Sequence, residues 1–328
     1  MKKKFLITGI TGFAGPNLAK LLLSKGHEVH GVIRCPNGRQ TDLLDLLTLE
    51  EYDSITFHNL DLRVYHSVHR LFSNHIFDGV FHLAAQSHPP TSFADPILTF
   101  EENVTASMNI ITVLEKTETK LMFCSTSEVY GDTCKDKGIL KVSDPLTPSN
   151  PYAASKAAID LYLQERFKNG FIKGFITRAF SHTGPRRGFN FSISSDAFQI
   201  AKMVLGLQEK VLRVGNLKTE RVVIDVRDCV NAYYLLMMTS ESEGRVFNVC
   251  GSDVHKMQHF TDKLIEASRI PYNEIKQKID DKLYRPIDIQ VQVGDSTELV
   301  EITGWKPEYN LEQTMTDLLN YWIKKLKN

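Results

Sequence analysis

Over roughly the first half of the chain, short apolar runs alternate with amphipathic stretches, and after Phe180 the alternation breaks down. The first run, Lys3-Lys4-Phe5-Leu6-Ile7-Thr8, is too brief for a helix and bulky enough for a buried strand. Similar runs follow at Glu28-Val29-His30-Gly31-Val32-Ile33, Ile55-Thr56-Phe57-His58, Val80-Phe81-His82-Leu83, Leu121-Met122-Phe123-Cys124 and Phe175-Ile176-Thr177-Arg178. Between the first two, Pro16 opens a helical pattern in which Leu18, Leu21 and Leu22 share a face, and Gly26 ends it. Strands alternating with helices predict an α/β protein with a doubly wound parallel sheet covered by helices on both faces. Beyond Phe180, turns at Pro185-Arg186-Arg187-Gly188, Gly215-Asn216 and Arg285-Pro286 predict a smaller C-terminal lobe built around a substrate. No internal repeat or low-complexity tract is present.

The first strand runs into Gly9-Ile10-Thr11-Gly12-Phe13-Ala14-Gly15, and strand, glycine turn, helix is the context of a dinucleotide-phosphate fingerprint. Gly9 permits the tight turn, Gly12 lets backbone N–H groups approach a pyrophosphate, and Gly15 allows helix to pack on strand. The helix N-terminus adds partial positive charge. The fold expected is therefore Rossmann-like. Residues 1–179 form the cofactor domain and 180–328 mainly the substrate lobe, with a segment near 217–250 returning to the first domain. The second strand ends in Arg34 where a site for NAD carries Asp or Glu to hold the ribose 2′-hydroxyl. An arginine there pairs with a 2′-phosphate, so the cofactor expected is NADP, with Arg39 a second candidate contact. A solvated surface arginine is the alternative at both positions.

Ligands of such sheets sit beyond the carboxyl ends of the strands. Three polar clusters follow strands there and should share one crevice: Ala84-Ala85-Gln86-Ser87-His88, Ser125-Thr126-Ser127-Glu128, and Phe180-Ser181-His182. After the second cluster comes Asn150-Pro151-Tyr152-Ala153-Ala154-Ser155-Lys156. Asn150 can cap a helix and Pro151 suits its first position. Lys156 then lies one turn from Tyr152, roughly 5–6 Å away between Cβ atoms, and is expected to lower the tyrosine pKa. A phenolate can take the proton from a sugar hydroxyl. His82 reads as a packed, hydrogen-bonded strand histidine and His88 as a site-shaping one; neither belongs to a metal-ligand cluster, and no metal is expected.

Lys plus Arg (39) balances Asp plus Glu (39), so no global field favours nucleic acid or an anionic membrane. Met1-Lys2-Lys3-Lys4 is not followed by the apolar core of a signal peptide, and no stretch approaches the roughly 18 apolar residues of a membrane span. Five cysteines (Cys35, Cys124, Cys134, Cys229 and Cys250) with no C-x-x-C pair read as reduced thiols of a cytoplasmic protein, Cys124 as a buried small hydrophobe.

Over nearly its full length the chain resembles the extended short-chain dehydrogenase/reductase family, and within it GDP-mannose 4,6-dehydratases. The resemblance rests on Thr8-Gly9-Ile10-Thr11-Gly12, Thr41-Asp42, Ala85-Gln86-Ser87-His88 with Ser92-Phe93, and Ser125-Thr126-Ser127-Glu128-Val129-Tyr130-Gly131. Ser181-His182 with Pro185-Arg186-Arg187-Gly188, Arg285-Pro286, Gly294-Asp295 and Gly304-Trp305 complete it. It implies catalytic roles for Thr126, Glu128, Tyr152 and Lys156. It implies cofactor contacts at Gly9, Thr11, Gly12, Phe13, Ala14, Gly15, Arg34, Asp61, Leu62, Leu83, Ala84, Ala85, Ser87, Tyr152, Lys156, His182 and Arg187. Substrate contacts are implied at Gln86, Ser87, Ser127, Ser181, Arg187, Arg221 and Arg285, the last two for the nucleotide diphosphate. A homodimer or homotetramer is implied as well. Two departures stand out: Ser181 replaces a side-chain amide, and Leu98 replaces a tyrosine near the cofactor. The stretch from Val214 to Asp228 is more similar to GDP-4-keto-6-deoxymannose reductases.

The four catalytic candidates suit an internal redox reaction. Tyr152 would deprotonate the sugar 4-hydroxyl as hydride leaves C4 for NADP⁺. Glu128 would take the C5 proton, acidified by the new ketone, and return it as the 6-hydroxyl departs as water. Thr126 would steady the C4 oxygen. A 4-ketoreductase or 4-epimerase needs Tyr152, Lys156 and Thr126 but no C5 base, so Glu128 discriminates. A non-enzymatic cofactor sensor on this scaffold could dispense with Tyr152 and Lys156.

Overall fold

A computed structural model describes residues 1–34, 41–115, 117–136, 138–283 and 290–327. Cys35, Arg39 and the Arg285-Pro286 pair lie outside the described residues. Each apolar run of the first half forms a strand: β1 (Lys4–Thr8), β2 (Glu28–Ile33), β3 (Thr56–Asn59), β4 (Gly79–His82), β5 (Lys120–Thr126) and β6 (Gly174–Ala179). In the second half come β7 (Ser181–Thr183), β8 (Val211–Val214), β9 (Glu220–Asp225), β10 (Val246–Val249), β11 (Val254–Lys256), β12 (Lys276–Ile279) and β13 (Val291–Gln292). The central sheet has seven strands in the order β10-β6-β5-β4-β1-β2-β3, and every neighbouring pair is parallel. The chain therefore winds outward from β1 in one direction and from β4 in the other, which opens a crevice where the two halves diverge.

Strand runs without polar alternation reflect burial on both faces. Along β1, Phe5 and Ile7 face one core with Leu18, Leu22, Phe81 and Met122, while Leu6 faces another with Val80, Ile110, Phe123 and Ile159. The Val226–Met238 helix returns to the first of these cores through Tyr233 and Leu236, and β10 extends the sheet beyond β6. A third core joins the helices Ser192–Val204, Met257–Ser268 and Leu311–Lys327 through Ile200, Phe260, Leu264, Leu318 and Trp322. In this second lobe β9 is central, paired with β11 antiparallel and with β7 and β13 parallel. No helix among the described residues is long and apolar enough to cross a membrane.

Candidate functional site

The loops after β1 to β6 and part of the second lobe line one cleft of about 930 Å³. At its head, Gly9 adopts φ +72°, and a Cβ there would lie 2.8 Å from the Ala84 backbone nitrogen. On Gly15 a Cβ would lie 2.4 Å from the Gly9 carbonyl oxygen, so helix and strand touch here only because the side chain is missing. The helix Ala14–Ser24 starts two residues before Pro16; it has no side-chain cap and no acidic residue in its first turn. Its leading N–H groups thus face the loop with no anionic side chain of that turn beside them, an arrangement that fits a diphosphate.

Thr11, Gly12, Phe13, Ala14, Leu62, Leu83, Ala84, Ala85 and Ser87 also line the cleft. Arg34 lines it too, but its Nη1 donates to Glu102 Oε1 at 2.7 Å, a pairing of residues distant in sequence. Asp61 accepts from Arg63 Nε and Nη2, which holds its carboxyl below the ordinary carboxylate range. Arg63, a cleft residue beside Arg34's partner helix, was not singled out by the sequence. Phe13 stacks on His182 at 5.6 Å between ring centres, and the Arg187 guanidinium lies over both Phe13 and Phe191. Burial, with Arg187 adding to it, lowers His182 to about 4. The neutral ring donates from Nδ1 to the Phe180 carbonyl oxygen at 2.9 Å, leaving Nε2 as an acceptor. Arg186, at φ 73°, reaches back to the carbonyl oxygens of Asp42 and Thr11 and ties the second-lobe turn to the glycine loop.

The opposite wall carries the catalytic candidates. Asn150 caps the Pro151–Lys168 helix by accepting from Ala153 N at 2.8 Å, and Pro151 occupies the first turn, as the sequence predicts. The same amide donates to Glu128 Oε2 at 2.9 Å, which the sequence did not reveal. One cap residue therefore orients both the tyrosine helix and the carboxylate. Thr126, the last residue of β5, caps the turn Ser127–Tyr130 by accepting from Glu128 N at 3.3 Å. Tyr152 is buried, with Thr126 and Glu128 among the groups that act on its phenol.

The expected lowering of the tyrosine by Lys156 is not what the structure shows. Burial raises the Tyr152 phenol above its ordinary value, with Cys124 and Glu128 adding to the rise and Thr126 and Arg187 opposing it. Burial likewise lowers the Lys156 ammonium, which sits 4.5 Å from the Phe123 ring centre. The reason is desolvation: both groups are buried, which disfavours both charged forms.

One further reading changes. Cys124 is half-buried rather than buried; it lines the cleft, with its thiol 3.6 Å from the Tyr233 hydroxyl. The Gln86 side chain accepts from His88 N and donates to the His88 carbonyl and Thr99, so it shapes the 86–88 turn. Asn103, in the π-helical turn Glu101–Thr105, holds that loop and Ser155 together and was not foreseen. Ser127, Ser181, Arg187 and Arg221 line the cleft with Ser87, and Arg221 donates to the Glu220 carbonyl at its edge. His82 is packed between Thr8 and Ser107, as expected, and among the described residues no cluster could hold a metal.

A protein-family model described as GDP-mannose 4,6 dehydratase matches residues 6–318. The chain is 29% identical over 332 residues to a GDP-6-deoxy-D-mannose reductase of Pseudomonas aeruginosa, covering 100% of this chain and 99% of that one. It is 29% identical over 325 residues to GDP-mannose 4,6 dehydratase 2 of Arabidopsis thaliana, covering 95% and 84%. Among solved structures, RMD from Pseudomonas aeruginosa complexed with NADPH superposes with a TM-score of 0.82 at 26% identity, over 99% of this chain and 100% of that one.

Proposed function

Because the chain belongs to the GDP-mannose 4,6 dehydratase family, we propose that it converts GDP-mannose, or a closely related GDP-sugar, to its 4-keto-6-deoxy form, as an NADP-dependent lyase. The observation that carries this reading is Glu128, a carboxylate in the cleft beside Thr126 and Tyr152, aimed by Asn150. Bound NADP supplies the acceptor and donor of hydride. Gly9, Gly12 and Gly15 with the Ala14–Ser24 helix hold its diphosphate, Arg34 its 2′-phosphate, and Phe13, His182 and Arg187 enclose it on the second-lobe side. A solved relative complexed with NADPH supports NADP as the cofactor.

Against the desolvation described above, the Lys156 ammonium one helical turn away favours the Tyr152 phenolate, which takes the proton of the sugar 4-hydroxyl. Thr126 donates to the C4 oxygen while it carries charge. Glu128 takes the C5 proton and, as the acid, gives a proton to the departing 6-hydroxyl, which leaves as water. Ser87, Ser127 and Ser181 contact the sugar, and Arg187, Arg221 and Arg285 the diphosphate. Residues 1–179 bind cofactor and 180–328 bind mainly substrate, in a cytoplasmic homo-oligomer.

A 4-keto-6-deoxy-sugar reductase is the second reading, favoured by the 29% identity that runs the full length of the Pseudomonas aeruginosa reductase. Incubation with GDP-mannose and NADP⁺ tests the proposal: the sugar nucleotide should lose the mass of one water with no net NADPH formed. An unchanged GDP-mannose, together with NADPH oxidation by a 4-keto-6-deoxy sugar, would favour the reductase.

A further inference from the structure

The second lobe places an ionisable carboxylate in the cleft. Asp196, in the Ser192–Val204 helix, is buried and lines the same cleft as Tyr152 and Arg221. Its Oδ2 accepts from Thr261 Oγ1 at 2.7 Å; among the described residues no cation pairs with it and no donor is bonded to Oδ1. Burial holds the acid up at about 7, opposed only by the Thr261 hydrogen bond. The surrounding frame is hydrogen-bonded between segments. Met257 N donates to the Thr219 carbonyl at 2.9 Å and Gln258 N to the Leu217 carbonyl at 3.1 Å, which locks the 217–219 loop to the helix that carries Thr261. Leu217 and Met257 line the cleft with Asp196, so apolar side chains stand beside the carboxylate. An unpaired buried carboxylate costs stability, and its site gives no packing reason for it.

We infer that Asp196 reads the nucleobase of the substrate and selects guanine. The inference rests on the nucleotide-sugar reading above and supplies from this chain the base that the reading takes from its family. An ionised carboxylate only accepts hydrogen bonds, and an oxygen already bonded to Thr261 keeps a second lone pair. Guanine offers two adjacent donors, N1–H and the 2-amino group, which match two carboxylate oxygens in a charge-assisted pair. Uracil offers one N–H between two carbonyls; adenine and cytosine set an amino group beside a bare ring nitrogen. Each of these turns a lone pair against the carboxylate.

Calorimetric titration of the full-length protein with saturating NADP⁺ tests the assignment. GDP should bind roughly 5–150-fold more tightly than inosine diphosphate, which lacks only the 2-amino group. UDP and ADP should rank below both. Asp196→Asn should bring GDP and inosine diphosphate together while the protein stays folded by circular dichroism. Equal affinities for the two in wild-type protein overturn the assignment without reference to any variant, and so does an unchanged ratio in Asp196→Asn. Water loss from GDP-mannose is followed on the same preparation. Dehydration with equal GDP and inosine diphosphate affinities contradicts Asp196 alone. Guanine selection through Asp196 without dehydration contradicts the dehydratase reading alone.

Discussion

Tyr152 and Lys156 are both buried, and desolvation disfavours the charge on each. The pair was legible because helix periodicity fixes i and i+4 on one face, but its electrostatics were not, because desolvation depends on what the rest of the chain covers. Tyr152→Phe should lower turnover by about 10²–10⁴-fold while NADP⁺ affinity and the circular dichroism spectrum stay near wild type. Near wild-type turnover would exclude the tyrosine as the base. Asp196 adds a pH prediction. Its folded-state pKa, about 7, lies above the ordinary value of 3.8, so its favourable contribution is complete below that ordinary value and is lost as pH rises toward 7. Asp196→Asn should therefore raise the melting temperature more at pH 8 than at pH 5. An equal shift at both pH values would show that the carboxylate is not buried as described.

Among the elements, those read from local pattern alone are found where the sequence places them: the glycine turn, the Asn150 cap, and the strands with their continuous apolar runs. What escaped the sequence is contact between distant segments. Asn150 and Glu128 meet through the fold of a long loop, Arg34 meets Glu102 on a π-helical turn, and Gln86 is held by its own turn and by Asn103. No spacing announces such pairs. Asn150→Ala removes the cap and the Glu128 contact together, so stability should fall by about 1 kcal/mol in denaturant unfolding. Turnover should fall as well, and a loss of stability with full turnover would mean that Asn150 does not orient Glu128. The Arg34–Glu102 pair is exposed on the arginine side, with the Arg34 side chain at 56%. Glu102→Gln should strengthen NADP⁺ binding by only about 1.5–5-fold. Arg34→Asp should instead reverse the preference for NADP⁺ over NAD⁺, and equal wild-type affinity for both would remove Arg34 from the 2′-phosphate site.

At the scale of the whole molecule, the seven-stranded parallel sheet sets the cleft and the second lobe closes it. The sheet was legible in the alternation of runs. The strand pairing of the lobe was not, since β7, β11 and β13 are only two or three residues long and meet β9 from distant stretches. The account depends on Glu128 acting as the C5 base, and turnover of GDP-mannose in D₂O measures that directly. Wild-type protein should place one deuterium at C5 of a 4-keto-6-deoxy product with no net change in NADPH. Glu128→Gln should accumulate NADPH and a 4-keto sugar that retains its 6-hydroxyl. A wild-type protein that instead consumes NADPH with a 4-keto-6-deoxy sugar and leaves C5 unlabelled would contradict the account.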